Sequence, residues 1–113
     1  MRFVALAAIV AALTASSALA ATPTLNGTVG PGFTITLKQG SAKVSKLKAG
    51  SYKFVISDKS SIHNFHLKGP GIDKKTSVGG TGTTTWTVKL KAGKYTYVCD
   101  PHASFMKGSF TVS

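Results

Sequence analysis

Two residue types that often define the chemistry of a small protein are nearly missing from this sequence. Cysteine occurs once, at Cys99, so the chain cannot form an intramolecular disulfide. Arginine also occurs once, at Arg2, and arginine is the side chain that reads bases bidentately and stacks on them. Its scarcity argues against a nucleic-acid-binding function. Methionine is almost as rare, because only Met106 follows the initiator.

Acidic residues are scarce as well. Three aspartates and glutamates face 14 lysines and arginines, which gives a formal net charge of +11 at pH 7. Such a field attracts acidic proteins and anionic surfaces. The alternative is that the lysines only keep the domain soluble, and composition does not separate the two interpretations.

Long apolar runs are absent except at the start of the chain. A positive Met1-Arg2 pair precedes an unbroken apolar run over residues 3–13, and Ala18-Leu19-Ala20 has the small-x-small pattern of a cleavage site. We therefore predict a signal peptide over residues 1–20 and one domain over residues 21–113. No later segment is long and apolar enough to span a bilayer. The product is expected to be exported, to the periplasm or the cell exterior, without stable membrane insertion.

Helical periodicity is missing after residue 20. Apolar and polar residues instead alternate in short segments that are separated by turns containing glycine or proline, as at Gly30-Pro31-Gly32. This pattern predicts an all-β fold, a Greek-key β-sandwich of about seven or eight strands, with an irregular excursion through residues 72–81. The predicted core is Phe33, Ile35, Leu37, Tyr52, Phe54, Ile56, Trp86, Val88, Leu90, Tyr95, Tyr97, Phe110 and Val112.

The single cysteine lies in a short segment that is rich in metal-binding side chains. Cys99, His102 and Met106 have the spacing Cys-x2-His-x3-Met, so one tight loop could bring all three donors to one ion. A thiolate, an imidazole and a thioether together suit copper, which accepts sulfur and nitrogen ligands as Cu(I) and as Cu(II). Alternation with Tyr95 and Tyr97 places Cys99 at the end of a strand, facing the core.

A trigonal copper site with two histidines, one cysteine and a long axial methionine requires one more histidine. Residues 61–67 contain two candidates. Alternation places His63 on the same face as Phe65 and Leu67, which is the better core face. His63 is therefore the predicted ligand. His66 is predicted to lie on the surface, and its replacement is expected to leave a metal site nearly unaltered.

Two polar residues directly follow predicted ligands. Asn64 follows His63 and Asp100 follows Cys99, so a hydrogen bond between them would tie the two ligand segments together. Alternatively, Asp100 would cap the turn at Pro101.

In these two segments the chain resembles the cupredoxins, the family of blue copper proteins. The resemblance rests on His63-Asn64 and on the Tyr-x-Cys-x-Pro-His segment that ends in Met106. It implies one copper ion per chain, bound by His63, Cys99, His102 and Met106. It also implies that electrons pass through the exposed edge of the second histidine, near the Gly30-Pro31-Gly32 turn. Asp100 departs from the family, in which serine or threonine more often follows the cysteine.

The resemblance and the donor set together predict an exported one-electron carrier that cycles between Cu(I) and Cu(II). Its expected partners are redox proteins, among which acidic ones would suit its positive charge, and the protein itself is expected to be a monomer. The alternative is an exported protein for copper storage or delivery, although such proteins usually use tracts rich in methionine and histidine. An enzyme is not expected, because substrate oxidation would need an open coordination position or a second copper cluster.

Overall fold

The strands follow the alternation of the sequence. The computed structural model describes residues 21–113, so the predicted signal peptide lies outside the described residues. Within them, one short 3-10 helix, Asp100–His102, accompanies ten β-strands. The strands are β1 (Thr24–Val29), β2 (Ile35–Gln39), β3 (Ala42–Lys43), β4 (Lys46–Leu47), β5 (Gly50–Asp58), β6 (His66–Gly69), β7 (Ile72–Lys75), β8 (Gly82–Leu90), β9 (Gly93–Val98) and β10 (Lys107–Val112).

The strands form two five-stranded sheets. One sheet has the order β3-β2-β1-β5-β8 and the other β4-β10-β9-β6-β7, so the chain passes repeatedly from one sheet to the other. Two pairs, β1 with β5 and β4 with β10, are parallel, and the others are antiparallel. The predicted all-β sandwich is confirmed. The number of strands exceeds the prediction because β3 and β4 have two residues each and β7 forms within the predicted irregular excursion.

Apolar side chains from both sheets fill the space between them, and aromatic rings contribute much of the volume. Tyr95 stacks on Phe110 with ring centroids 5.2 Å apart, and Phe65 stacks on Tyr97 at 5.5 Å. The hydroxyl of Tyr95 donates to the carbonyl oxygen of Lys91 at 2.8 Å, so the ring is buried without leaving its polar group unsatisfied. Each fully buried large side chain contributes about 1.5–3 kcal/mol relative to an exposed one.

Most of the predicted core is buried, with three exceptions. Phe33 is 58% exposed, so its assignment to the core was wrong, and Ile35 and Trp86 are only partly buried. Phe33 precedes β2 and lies in a turn that Gly30 closes by donating its N–H to the carbonyl oxygen of Thr34. The side chain therefore lies outside the strand alternation. Trp86 belongs to β8, an edge strand that is covered by a neighbouring strand on one side only.

Three connections meet at one end of the sandwich and form the candidate site. The loop from Cys99 to Met106 joins β9 to β10, and its base is closed by the N–H of Cys99 donating to the carbonyl oxygen of Met106 at 3.0 Å. Residues 59–65 connect β5 to β6, and residues 30–34 connect β1 to β2. Within residues 21–113 no helix has the length and hydrophobicity that crossing a bilayer requires.

Candidate metal centre

The loop between β9 and β10 is tightly wound by its own backbone. The N–H of His102 donates to the carbonyl oxygen of Cys99 at 3.0 Å, and the N–H of Met106 donates to that of His102 at 2.8 Å. Pro101 occupies the first turn of the 3-10 helix, where its missing N–H has no intrahelical acceptor to lose. Cys99 and Met106 are both buried, as predicted for Cys99.

His63 comes from the connection before β6 and not from a strand. Its imidazole is fully buried, and Nε2 lies 3.0 Å from the carbonyl oxygen of Gly32. Because a carbonyl oxygen only accepts, Nε2 must carry the ring proton, and the lone pair of the neutral ring is then on Nδ1. Nδ1 lies 3.6 Å from Sγ of Cys99. Gly32 therefore selects the tautomer that presents a free nitrogen to the thiol.

His102 completes a group of three converging donor atoms. Its Nδ1 lies 3.6 Å from Sγ of Cys99 and 3.2 Å from Nδ1 of His63. Among residues 21–113 these three form the one group of three or more histidine, cysteine or acidic residues whose donor atoms are close enough for a metal ion, and no carboxylate belongs to it. One thiolate and two imidazoles fit copper or zinc and do not fit hard cations such as Ca²⁺ or Mg²⁺.

Met106 lies at the end of the same loop and is buried. Its carbonyl oxygen accepts a hydrogen bond from the N–H of Cys99, and its N–H donates to the carbonyl oxygen of His102. The structure therefore brings His63, Cys99 and His102 together and places Met106 beside them in the loop. Metal ligation by the four residues stays a prediction.

Aromatic rings surround the one donor that is only half-buried, His102. The ring of Phe33 lies 5.1 Å from that of His102, and the ring of Phe105 lies 5.6 Å from it, measured between centroids. Phe33 and Phe105 are more than half exposed. We call His102, Phe33 and Phe105 the aromatic rim. The sequence analysis assigned Phe33 to the core, although this residue directly follows the glycine-proline turn that was expected to border the site.

The expected contact between Asn64 and Asp100 is confirmed. Nδ2 of Asn64 donates to Oδ2 of Asp100 at 2.7 Å, and the backbone N–H of Asp100 donates to Oδ1 of Asn64 at 2.7 Å. The two carboxylate oxygens of Asp100, the first residue of the 3-10 helix, contact Asn64 and His66. The segments that carry His63 and Cys99 are thus joined by a reciprocal pair of hydrogen bonds.

The prediction that His66 is a surface residue was wrong. Its side chain is buried, because the carboxylates of Asp73 and Asp100 cover its two ring nitrogens. Nδ1 lies 2.7 Å from Oδ1 of Asp100, and Nε2 lies 2.5 Å from Oδ1 of Asp73. Strand alternation does not apply between His63 and His66, because residues 63–65 precede β6, and the side chains of Asp73 from β7 and Asp100 from the ligand loop shield the His66 ring from solvent.

Both carboxylates that contact His66 are held in their ionised form. The pKa of Asp73 is lowered chiefly by its hydrogen bond to His66, in spite of some desolvation. For Asp100, burial acts to raise the pKa, but hydrogen bonds from His66 and Asn64, together with the charge of Lys68, lower it below its ordinary value. Asp100 therefore carries a negative charge directly beside Cys99.

Comparison with known proteins agrees with this geometry. The sequence model of a family described as a cupredoxin-like domain matches residues 3–112. Amicyanin-alpha from Methylorubrum extorquens is 36% identical over 121 residues, and the match covers 99% of each chain. Two solved structures share the fold. Rusticyanin from Thiobacillus ferrooxidans has a TM-score of 0.56 at 22% identity, covering 80% of this chain and 76% of that one. Auracyanin from Roseiflexus castenholzii has a TM-score of 0.57 at 17% identity, covering 81% and 98%.

Proposed function

This chain belongs to the cupredoxin-like family, and from that membership and the donor geometry we propose that it is a one-electron carrier with one copper ion. The proposed ligands are His63, Cys99, His102 and Met106. The observation that carries the proposal is the convergence of Sγ and two Nδ1 atoms to within 3.2–3.6 Å of one another, with no carboxylate among them. Copper held by such donors gains and loses one electron without binding a substrate.

The protein contributes a rigid frame for these donors. His63 is oriented by Gly32, Cys99 by its position at the end of β9, and His102 by the backbone bonds of the loop. A ligand set that moves little between oxidation states suits electron transfer, and four donors leave no open position for substrate chemistry. We infer that electrons enter and leave at the aromatic rim, since His102 is the one donor that reaches the surface.

A delivery or storage protein would use the same donors differently, because it must release its metal to a partner. Reversible voltammetry of the copper-loaded protein, with and without a mild Cu(I) chelator, separates the two functions. We expect repeated cycling between Cu(II) and Cu(I) with no loss of copper to the chelator. Prompt transfer of copper to the chelator on reduction would contradict the function of an electron carrier and favour that of a delivery protein.

We also propose that the chain is exported and works as a monomer. Residues 1–20 have the pattern of a signal peptide, and cleavage after Ala20 would leave the domain beginning at Ala21. Mass measurement of the protein from the exported fraction of its host would test the site of cleavage. A product that retains Arg2 would contradict it.

The lysines are proposed to select acidic redox partners. Within residues 21–113 no lysine forms an ion pair with a carboxylate: Asp73 and Asp100 contact His66, and Asp58 is buried. The positive charge of the lysines is therefore not neutralised by ion pairs within the described residues. We expect the rate of electron transfer to an acidic protein to fall as ionic strength rises, because at 0.1 M salt the field is screened over about 10 Å. A small neutral redox agent is the control, and equal salt dependence for both would contradict steering.

Met106 is proposed to be the weak axial ligand. Met106→Leu keeps a similar volume but removes the thioether, so we expect a coloured copper site with a raised reduction potential. The measurement is the midpoint potential of the variant beside that of the wild type. An unchanged potential would mean that Met106 is not a ligand.

A further inference from the structure

His66 has a hydrogen-bonding arrangement that the proposed electron transfer does not use. Each of its ring nitrogens contacts a carboxylate oxygen, Nδ1 that of Asp100 and Nε2 that of Asp73. An ionised carboxylate only accepts hydrogen bonds, so the ring satisfies both contacts only when both nitrogens carry protons. Lys68 and Lys75 place positive charge near Asp73, and Lys68 also places it near Asp100. His66 thus joins β7 to the ligand loop through a carboxylate contact at each ring nitrogen.

The contacts of Asp100 lead from this cation to both ligand segments. One carboxylate oxygen accepts from His66, the other accepts from Asn64, and the backbone N–H of Asp100 donates back to Asn64. Asn64 directly follows His63, and Asp100 directly follows Cys99. Any rotation of the Asp100 side chain would therefore disturb the bond that fixes these two segments to each other.

An aspartate beside a thiolate ligand also presents an electrostatic problem. Two negative charges on adjacent residues repel each other, although the 38% exposure of the Asp100 side chain leaves part of this repulsion screened by solvent. Within the described residues the one basic side chain that contacts Asp100 is that of His66. Its presence offers a physical reason why an aspartate can follow the cysteine here, where the family more often has an uncharged hydroxyl residue.

We propose that His66 is a positioning residue: its ring, which contacts a carboxylate at each nitrogen, orients Asp100 and thereby holds His63 and Cys99 in place for the metal. The part of this inference that concerns the metal rests on the proposed function. The contact between His66 and Asp100 forms without a metal. Asp73 serves as the outer anchor that fixes the far side of the ring. The expectation that His66 can be replaced without effect on the site is withdrawn.

Two substitutions separate the inner contact of His66 from the outer one. The amide of asparagine can occupy the place of Nδ1 and retain the bond to Asp100, whereas the longer glutamine reaches the place of Nε2 and retains only the bond to Asp73. In the metal-free protein, we expect His66→Gln to accelerate hydrogen exchange of the Asp100 backbone N–H by about tenfold or more, the equivalent of one lost charge-assisted hydrogen bond. His66→Asn keeps the bond to Asp100 but loses the outer contact with Asp73, so it should accelerate this exchange by much less.

The copper-loaded variants provide a second measurement. His66→Gln is expected to shift the visible thiolate-to-copper band, and His66→Asn is expected to keep the wild-type spectrum. A purely structural role would lower the melting temperature of both variants and move neither spectrum, which would overturn the proposal. Equal changes in both variants would also overturn it, because the contact with Asp100 would then not matter.

Asp73→Asn covers the case in which the two histidine variants fail to fold. The Asp73 side chain is 73% exposed, so its replacement does not disturb the core. We expect faster exchange of the Asp100 N–H in the same direction as in His66→Gln but to a smaller extent, and an unchanged rate would contradict the proposal. If the wild type itself bound no copper, the proposed function would fail, while the exchange measurements would still decide whether His66 positions Asp100.

Discussion

Replacing Cys99 by serine is expected to abolish the intense visible absorption of the copper-loaded protein. Such a band would arise from charge transfer between a thiolate and Cu(II), and Cys99 is the only thiol in the chain. A serine hydroxyl does not ionise at neutral pH and offers a hard oxygen in place of soft sulfur, so copper should bind weakly and without the band. The measurement is an absorption titration with Cu(II), which for the wild type should end at one equivalent.

The metal-free Cys99→Ser protein should still fold. The new hydroxyl would lie near Nδ1 of both His63 and His102, which are 3.6 Å from the present sulfur and can serve as hydrogen-bond partners. We therefore expect a loss of only about 1 kcal/mol in the free energy of unfolding. A folded variant that kept the absorption band would disprove ligation by Cys99.

Replacing His63 by alanine is expected to remove copper binding, and this loss should resist rescue. Even the outer partners of a metal ligand usually contribute a factor of 10–100 in affinity, so loss of the ligand itself should cost more than about a hundredfold. The vacated space would be enclosed, since His63 is fully buried under Gly32 and Phe33. Added imidazole should therefore restore little colour.

His102→Ala is the matched comparison. It removes a ligand of the same type, but from the half-buried position within the aromatic rim, where an opening to solvent would remain. Imidazole should enter there and restore the absorption band. Equal rescue at both positions would show that the site is equally open on both sides, contrary to the burial of His63.

The sequence predicted those strands in which apolar and polar residues alternate regularly. Alternation identified the buried faces of β5 and β9 because a half-buried strand has a period of two residues. The same argument failed at Phe33, because this residue lies in the turn between β1 and β2, where side chains do not alternate between two faces. The types of the donors also predicted the site, since the combination of one cysteine, two histidines and one methionine is chemically specific.

The hydrogen bonds around the donors could not be predicted in the same way. His66 contacts one carboxylate 7 residues away and another 34 residues away, and alternation on a single strand contains no information about either. The orientation of His63 depends on the carbonyl of Gly32, and a backbone carbonyl has no signature in the sequence. Only the contact between Asn64 and Asp100 was expected, because each directly follows a predicted ligand.

The uneven burial of the donors has a kinetic consequence for the metal itself. His63, Cys99 and Met106 are closed off from solvent, so an incoming ion can approach only past His102 and the two phenylalanine rings beside it. At high copper concentration the rate of copper binding should then reach a plateau, which is set by the rate at which the His102 side chain rotates away from the site. If the proposed ligands hold copper, such a barrier would retain the ion by slow escape as well as by affinity. It would not slow electron exchange, because an electron does not need the ring to move.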